Sequence, residues 1–126
     1  MKEREGRHRG LQTFRDAVRG VVSVAETEFN FRIHLAGLVL VIVFGCFLKV
    51  NAMEWVALTL CVGFVLFAEI LNTALEYLAD AVHPEVDPGI GRAKDASAGA
   101  VFVASLAAGI VGAIIFIPKL WILLTK

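Results

Sequence analysis

Residues 96–117 read ASAGAVFVASLAAGIVGAIIFI, 22 consecutive positions without an ionisable side chain. At 1.5 Å per helical residue, a run of this length crosses a hydrocarbon core of roughly 30 Å. Ala96, Ala100, Ala104, Ala108 and Gly112 recur at i+4 within it, and Ser105, Gly109 and Ala113 form a neighbouring row of small residues. Such ridges let helix backbones approach closely where water cannot drive association, so they read as a packing seam within the chain or between copies.

The rest of the chain reads outward from that run. Trp55 to Ala68 is free of charge, and from Glu69 to Val82 the apolar rhythm continues while admitting Glu69, Glu76 and Asp80. Between Ile33 and Leu48 the only Asp, Glu, Lys, Arg or His is His34, and the run stops at Lys49-Val50-Asn51. Three such stretches in 126 residues, 58% of them hydrophobic, leave no polar face to wrap a soluble core. The mean hydropathy of +0.75 agrees. The expected fold is therefore an all-α membrane protein of one domain, residues 1–126. Its segments are a surface helix at about 11–28, spans at 29–49, 53–82 and 94–118, and a connector at 83–93.

Leu11, Phe14, Val18, Val21, Val22 and Ala25 recur at helical spacing, with Gln12, Arg15, Asp16 and Arg19 elsewhere on the wheel. This pattern suits a helix lying in the cytoplasmic membrane interface, the alternative being a soluble amphipathic helix docked on the bundle. Lys+Arg and Asp+Glu balance at 12 each, so nothing points to nucleic acid. The charges are unevenly placed: nine basic residues fall in the N-terminal segment and the 83–95 loop, against Lys49, Lys119 and Lys126 on the other side. By the positive-inside rule the N-terminus and that loop face the cytoplasm. Residues 1–10 lack a leader-like apolar segment, so no cleaved leader is expected. Cys46 and Cys61 lie isolated inside apolar runs and read as packing residues.

The chemistry sits on the second span. Steps of about 100° from Glu69 put Asn72 at about −60°, Thr73 at about +40°, Glu76 at about −20° and Asp80 at about +20°, all on one face. A carboxylate near the centre of a membrane helix costs about 2.5 to 3.5 kcal/mol, less near an interface, so an acidic stripe calls for a task. Solvated carboxylates at a helix end are the plain alternative, above all for Asp80. Neighbouring carboxylates repel unless a cation lies between them, and magnesium takes one or two carboxylates together with phosphate oxygens. If the first two spans form a hairpin, Glu28 comes level with Glu76 and completes a metal site; otherwise Glu28 pairs with Arg32 at i+4 and Glu26 stays at the surface. In the connector, Gly89 and Gly91 permit close approach of a phosphate and Lys94 adds a point charge. There is no Walker A or Rossmann pattern, and His83 and Asp87 read as turn residues sooner than as metal ligands.

The string Glu69-Ile70-Leu71-Asn72-Thr73-Ala74-Leu75-Glu76-Tyr77-Leu78-Ala79-Asp80, followed by Gly91-Arg92-Ala93-Lys94-Asp95 and a small-residue span, resembles the signature region of the prokaryotic diacylglycerol kinase/undecaprenol kinase family. The likeness extends upstream through Phe14, Ala17, Gly20, Glu28, Asn30, Phe31 and Arg32. It implies a homotrimer of three-span subunits in the bacterial cytoplasmic membrane, with active sites shared between neighbours and ATP and magnesium used to phosphorylate a lipid hydroxyl. By the family pattern Glu69 is the general base, Glu28 and Glu76 are the metal carboxylates and Asn72 positions. Lys94 neutralises the γ-phosphate, with Asp80, Gly91 and Asp95 in the nucleotide site. His34 and Ser97-Ala98-Gly99-Ala100 depart from the diacylglycerol-specific members and tilt the expected acceptor toward undecaprenol. The competing readings are a non-enzymatic helical membrane protein whose acidic stripe binds or passes cations, which has no need of Lys94, and a family member that has become a scaffold.

Overall fold

A computed structural model describes residues 2–83, 85 and 87–125, with side chains described from Gly10 onward. Four helices follow one another: α1 Lys2–Thr27, α2 Phe29–Phe47, α3 Ala52–Val82 and α4 Pro88–Leu124, with no strand among the described residues. The protein is an all-helical membrane protein in which α2, α3 and α4 are each long and apolar enough to cross a bilayer. The antiparallel pair α3–α4 carries most of the packing, α2 lies against α3 over a shorter stretch, and α1 makes only slight contact with the rest.

The apolar side chains mostly point away from the chain. Only 11% of the α2 and α4 spans and 22% of the α3 span is buried, and Phe64, Phe102, Ile114 and Trp121 are among many large apolar residues left exposed. A chain that hides so little of its apolar surface needs lipid or further copies around it. On α1, Leu11, Phe14, Val18, Val21 and Val22 are exposed and, among the residues whose side chains are described, only Val24 is buried, so its apolar row is turned outward from the bundle.

The turn between α2 and α3 explains how the hairpin closes. Val50 N–H donates to Gly45 O at 3.0 Å and Lys49 N–H to Cys46 O at 3.3 Å, while Lys49 adopts φ 52°. This is the Schellman ending of a helix, with lysine in the left-handed position that glycine usually fills. Asn51 then caps α3: its side chain accepts from Glu54 N–H at 3.0 Å, and Glu54 Oε2 accepts from Asn51 N–H at 2.8 Å. The Trp55 indole lies against Gly45 so closely that a Cβ there would come within 2.5 Å of its ring. Next to it Val50, Leu58 and Ile115 form the buried cluster that joins α3 to α4. Lys119 Nζ to Glu54 Oε2, at 3.0 Å, ties the far end of α4 to the same place.

Three boundaries differ from expectation. Helix α1 begins at Lys2, because the charged residues ahead of Leu11 are good helix formers even without an apolar face. The connector ends at 87 instead of 93, because Asp87 Oδ1 accepts from Gly89 N–H at 2.7 Å and Ile90 N–H at 3.0 Å, and Pro88 stands at the first helical position. Helix α4 also runs through Pro118 to Leu124 instead of stopping at 118. The Lys119–Glu54 bridge holds the segment that follows the proline.

Candidate active site

The far end of α3 gathers the polar residues. Glu69 is 4% exposed and Thr73 2%, so this part of the stripe faces the interior of the helix group; Asn72 and Glu76 are half-buried and Asp80 is exposed. Glu69 is within electrostatic reach of His34 on α2, of Glu76 about two helical turns on, and of Glu28 at the α1–α2 junction. The structure thus brings Glu28, Glu69 and Glu76 into one neighbourhood. Glu28 gets there because the helix breaks at it: with φ −97° and ψ 116° it is the N-cap of α2, yet its side chain makes no capping hydrogen bond. Its Oε1 accepts from the Tyr77 hydroxyl at 2.9 Å instead. The alternative i,i+4 pair of Glu28 with Arg32 does not form; Arg32 lies 5.8 Å over the Phe29 ring.

Asn72 Nδ2 donates to Glu76 Oε1 at 3.0 Å, and Asn72 Oδ1 accepts from the Ser97 hydroxyl at 2.6 Å. The carboxylate decides which way the amide faces, since a flipped Asn72 would set oxygen against oxygen. Further along, Lys94 Nζ is ion-paired and hydrogen-bonded to Asp80 Oδ1, which places the two expected nucleotide residues in one patch between α3 and α4.

Gly91 and Asp95 are both exposed, and no bond links either side of the patch to them. Gly91 lies in the first turn of α4 and not in a loop, with its N–H donated to Asp87 O at 2.9 Å. The open space above its Cα, free of heavy atoms within 4 Å, is what it offers a ligand. Asp87 uses Oδ1 to cap α4. Among the described residues no three His, Cys, Asp or Glu side chains form a metal-holding group. The donors available are hard carboxylate oxygens, two for a metal and not a cage, which fits magnesium completing its shell with phosphate and water.

A cavity of about 440 Å³ opens between α2, α3 and α4, lined by His34, Val41, Val65, Leu66, Ser105 and Gly109 among others. It is apolar apart from the His34 ring and the Ser105 hydroxyl, whose oxygen is buried without a partner. Val65 and Leu66 line it one turn before Glu69, so the buried carboxylate stands between an apolar cavity on one side and the carboxylate and lysine patch on the other.

Reading the stripe alone missed Tyr77, Thr27 and the bonding role of Ser97. Tyr77 sits about 80° from Glu69 on the wheel, just off the acidic face, and its partner becomes visible only when the α1–α2 junction is placed.

Residues 15–116 match the family model described as prokaryotic diacylglycerol kinase. The chain belongs to that family. Undecaprenol kinase of Bacillus subtilis (strain 168) is 37% identical over 113 residues, covering 90% of this chain and 92% of that protein. Diacylglycerol kinase of Synechocystis is 39% identical over 111 residues, 87% of this chain and 63% of that one. Diacylglycerol kinase of Escherichia coli (strain K12) is 34% identical over 90 residues, 71% of this chain and 74% of that one. The protein is thus a membrane lipid kinase, with ATP as co-substrate, and a purely cation-binding helical protein is not favoured.

Proposed function

We propose that this kinase transfers the γ-phosphoryl group of ATP to the hydroxyl of undecaprenol in preference to diacylglycerol. The observation that carries the reading is the position of Glu69, a buried carboxylate with the apolar cavity behind it and the polar patch in front. A lipid whose tail lies in the cavity presents its hydroxyl to Glu69, and a nucleotide on the patch presents its phosphate from the other side. Glu69 takes the hydroxyl proton as the oxygen attacks the γ-phosphorus in line and ADP leaves. Asn72 holds Glu76, and Lys94 turns from Asp80 to the γ-phosphate, where its charge offsets the negative charge of the transferring group. Asp80, Gly91 and Asp95 border the nucleotide. Glu28 and Glu76 would hold magnesium, which when bound would supply positive charge against the phosphates.

The preference for undecaprenol rests on His34, which lines the cavity beside Glu69, on the Ser97-Ala98-Gly99-Ala100 segment, and on the likeness to the Bacillus undecaprenol kinase over nearly the full length of both chains. The exposed apolar row of α1 supports an in-plane helix at the bilayer surface. The small-residue seam of α4 and the slight burial of every span support a homotrimer with sites completed by neighbours. The basic residues of the N-terminus and the 83–95 segment put this end on the cytoplasmic side of a bacterial membrane.

The test is direct. Protein purified in detergent is given ATP, magnesium and either lipid, and lipid phosphate is measured for each. The reading expects a higher kcat/KM with undecaprenol; a preference for diacylglycerol would reassign the acceptor, and transfer to neither from a folded assembly would contradict the chemistry.

A further inference from the structure

Tyr77 is the single tyrosine of the chain, and its hydroxyl touches two groups from one place. It donates to Glu28 Oε1 at 2.9 Å and lies 2.8 Å from Thr27 Oγ1. Each hydroxyl has one proton to give. The bond to an ionised carboxylate is the stronger claim on the tyrosine proton, so in the contact between the two hydroxyls Thr27 is the donor, its one proton shared between the Tyr77 oxygen and the Ser23 carbonyl 3.0 Å away. The result is a directed chain, Thr27 to Tyr77 to Glu28.

Glu28 has a simpler use for its side chain that it does not take. An N-cap residue ordinarily turns its oxygen onto the first free N–H groups of the helix it starts, yet Glu28 makes no such bond. Its carboxylate reaches across to α3 and engages one oxygen with a residue directly after Glu76 in sequence. Glu76, the other carboxylate assigned to the metal, is held in the same fashion: Oε1 is taken by Asn72, and Asn72 is held from behind by Ser97. In both cases one oxygen is fixed by a neutral donor and the second is left for another ligand.

We propose that Tyr77, backed by Thr27, is a positioning residue of the kinase: it fixes one oxygen of Glu28 so that the other is presented to the divalent cation that accompanies ATP. The proposal rests on Glu28 being a metal carboxylate. Groups that orient a metal ligand are worth 10–100-fold in metal affinity or activity when removed, and half-exposed Tyr77 belongs at about the lower end of that range.

Tyr77→Phe, Thr27→Val, the double variant and Glu28→Gln separate the possibilities, each purified in detergent. Two quantities are measured: Mn²⁺ binding followed by electron paramagnetic resonance in the presence of a non-hydrolysable ATP analogue, and the Mg²⁺ concentration giving half-maximal lipid phosphorylation. Tyr77→Phe keeps the ring and loses only the hydroxyl; it is expected to weaken Mn²⁺ binding and raise the half-saturating Mg²⁺ by about tenfold, with kcat restored at saturating metal. Thr27→Val should shift both by less, and should add nothing in the Tyr77→Phe background, because it acts only through the tyrosine oxygen. Unchanged Mn²⁺ binding in Tyr77→Phe, while Glu28→Gln loses it, overturns the role of Tyr77 and leaves that of Glu28 intact. Wild-type Mn²⁺ binding in Glu28→Gln overturns the metal assignment itself. A fall in kcat that excess metal does not restore would mark Tyr77 as a structural link only.

Discussion

The two ends of α3 are built on opposite plans. At its start the polar side chains engage one another: Asn51 and Glu54 cap one another, Lys119 closes on Glu54, and the Trp55 ring fills the space above Gly45. At its far end the polar groups are engaged on one side only. Glu28 and Glu76 each have one oxygen held by a neutral donor, and Lys94 has a single carboxylate partner that is itself mostly exposed. Satisfied groups make a clamp, and half-satisfied groups make a site, since a ligand can supply what the fold leaves unmet. On the proposed function, the α3–α4 pair carries its clamp at the turn end and its chemistry at the carboxylate end.

Substitutions at the two ends should divide cleanly between turnover and stability. The largest effect belongs to Glu69→Gln, which keeps shape and removes the proposed base. Lipid phosphorylation should fall by about 10² to 10⁴-fold, while binding of a fluorescent ATP analogue and the thermal midpoint stay near wild type. Wild-type turnover would remove Glu69 from the chemistry.

At the other end, Gly45→Ala drives a methyl group into the Trp55 ring at a distance no neighbour tolerates without moving. Overpacking of this kind costs about 1–3 kcal/mol, seen as a lower thermal midpoint in detergent, with kcat of the folded fraction unchanged. Loss of turnover at unaltered stability would show that the turn end communicates with the site and would blur the division. Smallest of the three is Asn51→Ala, which removes the α3 cap at a cost of about 1 kcal/mol. It too should lower the midpoint without changing KM for ATP.

Much of this division can be read from residue pattern. The three spans announce themselves as uncharged runs, and the acidic face of α3 follows from 100° steps from Glu69, because both depend on spacing within one helix. What depends on two helices does not. Glu54 and Lys119 are 65 positions apart and nothing local pairs them. Tyr77 lies off the stripe and meets Glu28 only because the chain breaks at the α1–α2 junction. Residues 83–93 mislead for another reason. Two prolines and two glycines look like a loop, whereas Asp87-Pro88 is a cap followed by the first helical residue, and the cap outweighs the glycines that follow. The end of the third span misleads in the opposite sense, since the expected stop at 118 follows the uncharged run whereas the helix continues through Pro118 to Leu124.

The claim that the carboxylate end receives the nucleotide is met most directly by an experimental structure of the protein with magnesium and a non-hydrolysable ATP analogue. The account predicts Lys94 released from Asp80 and hydrogen-bonded to the γ-phosphate, the metal on Glu28 and Glu76, and Glu69 facing the cavity between α2, α3 and α4. A nucleotide bound elsewhere, with Lys94 still on Asp80 and both carboxylates untouched, would contradict it.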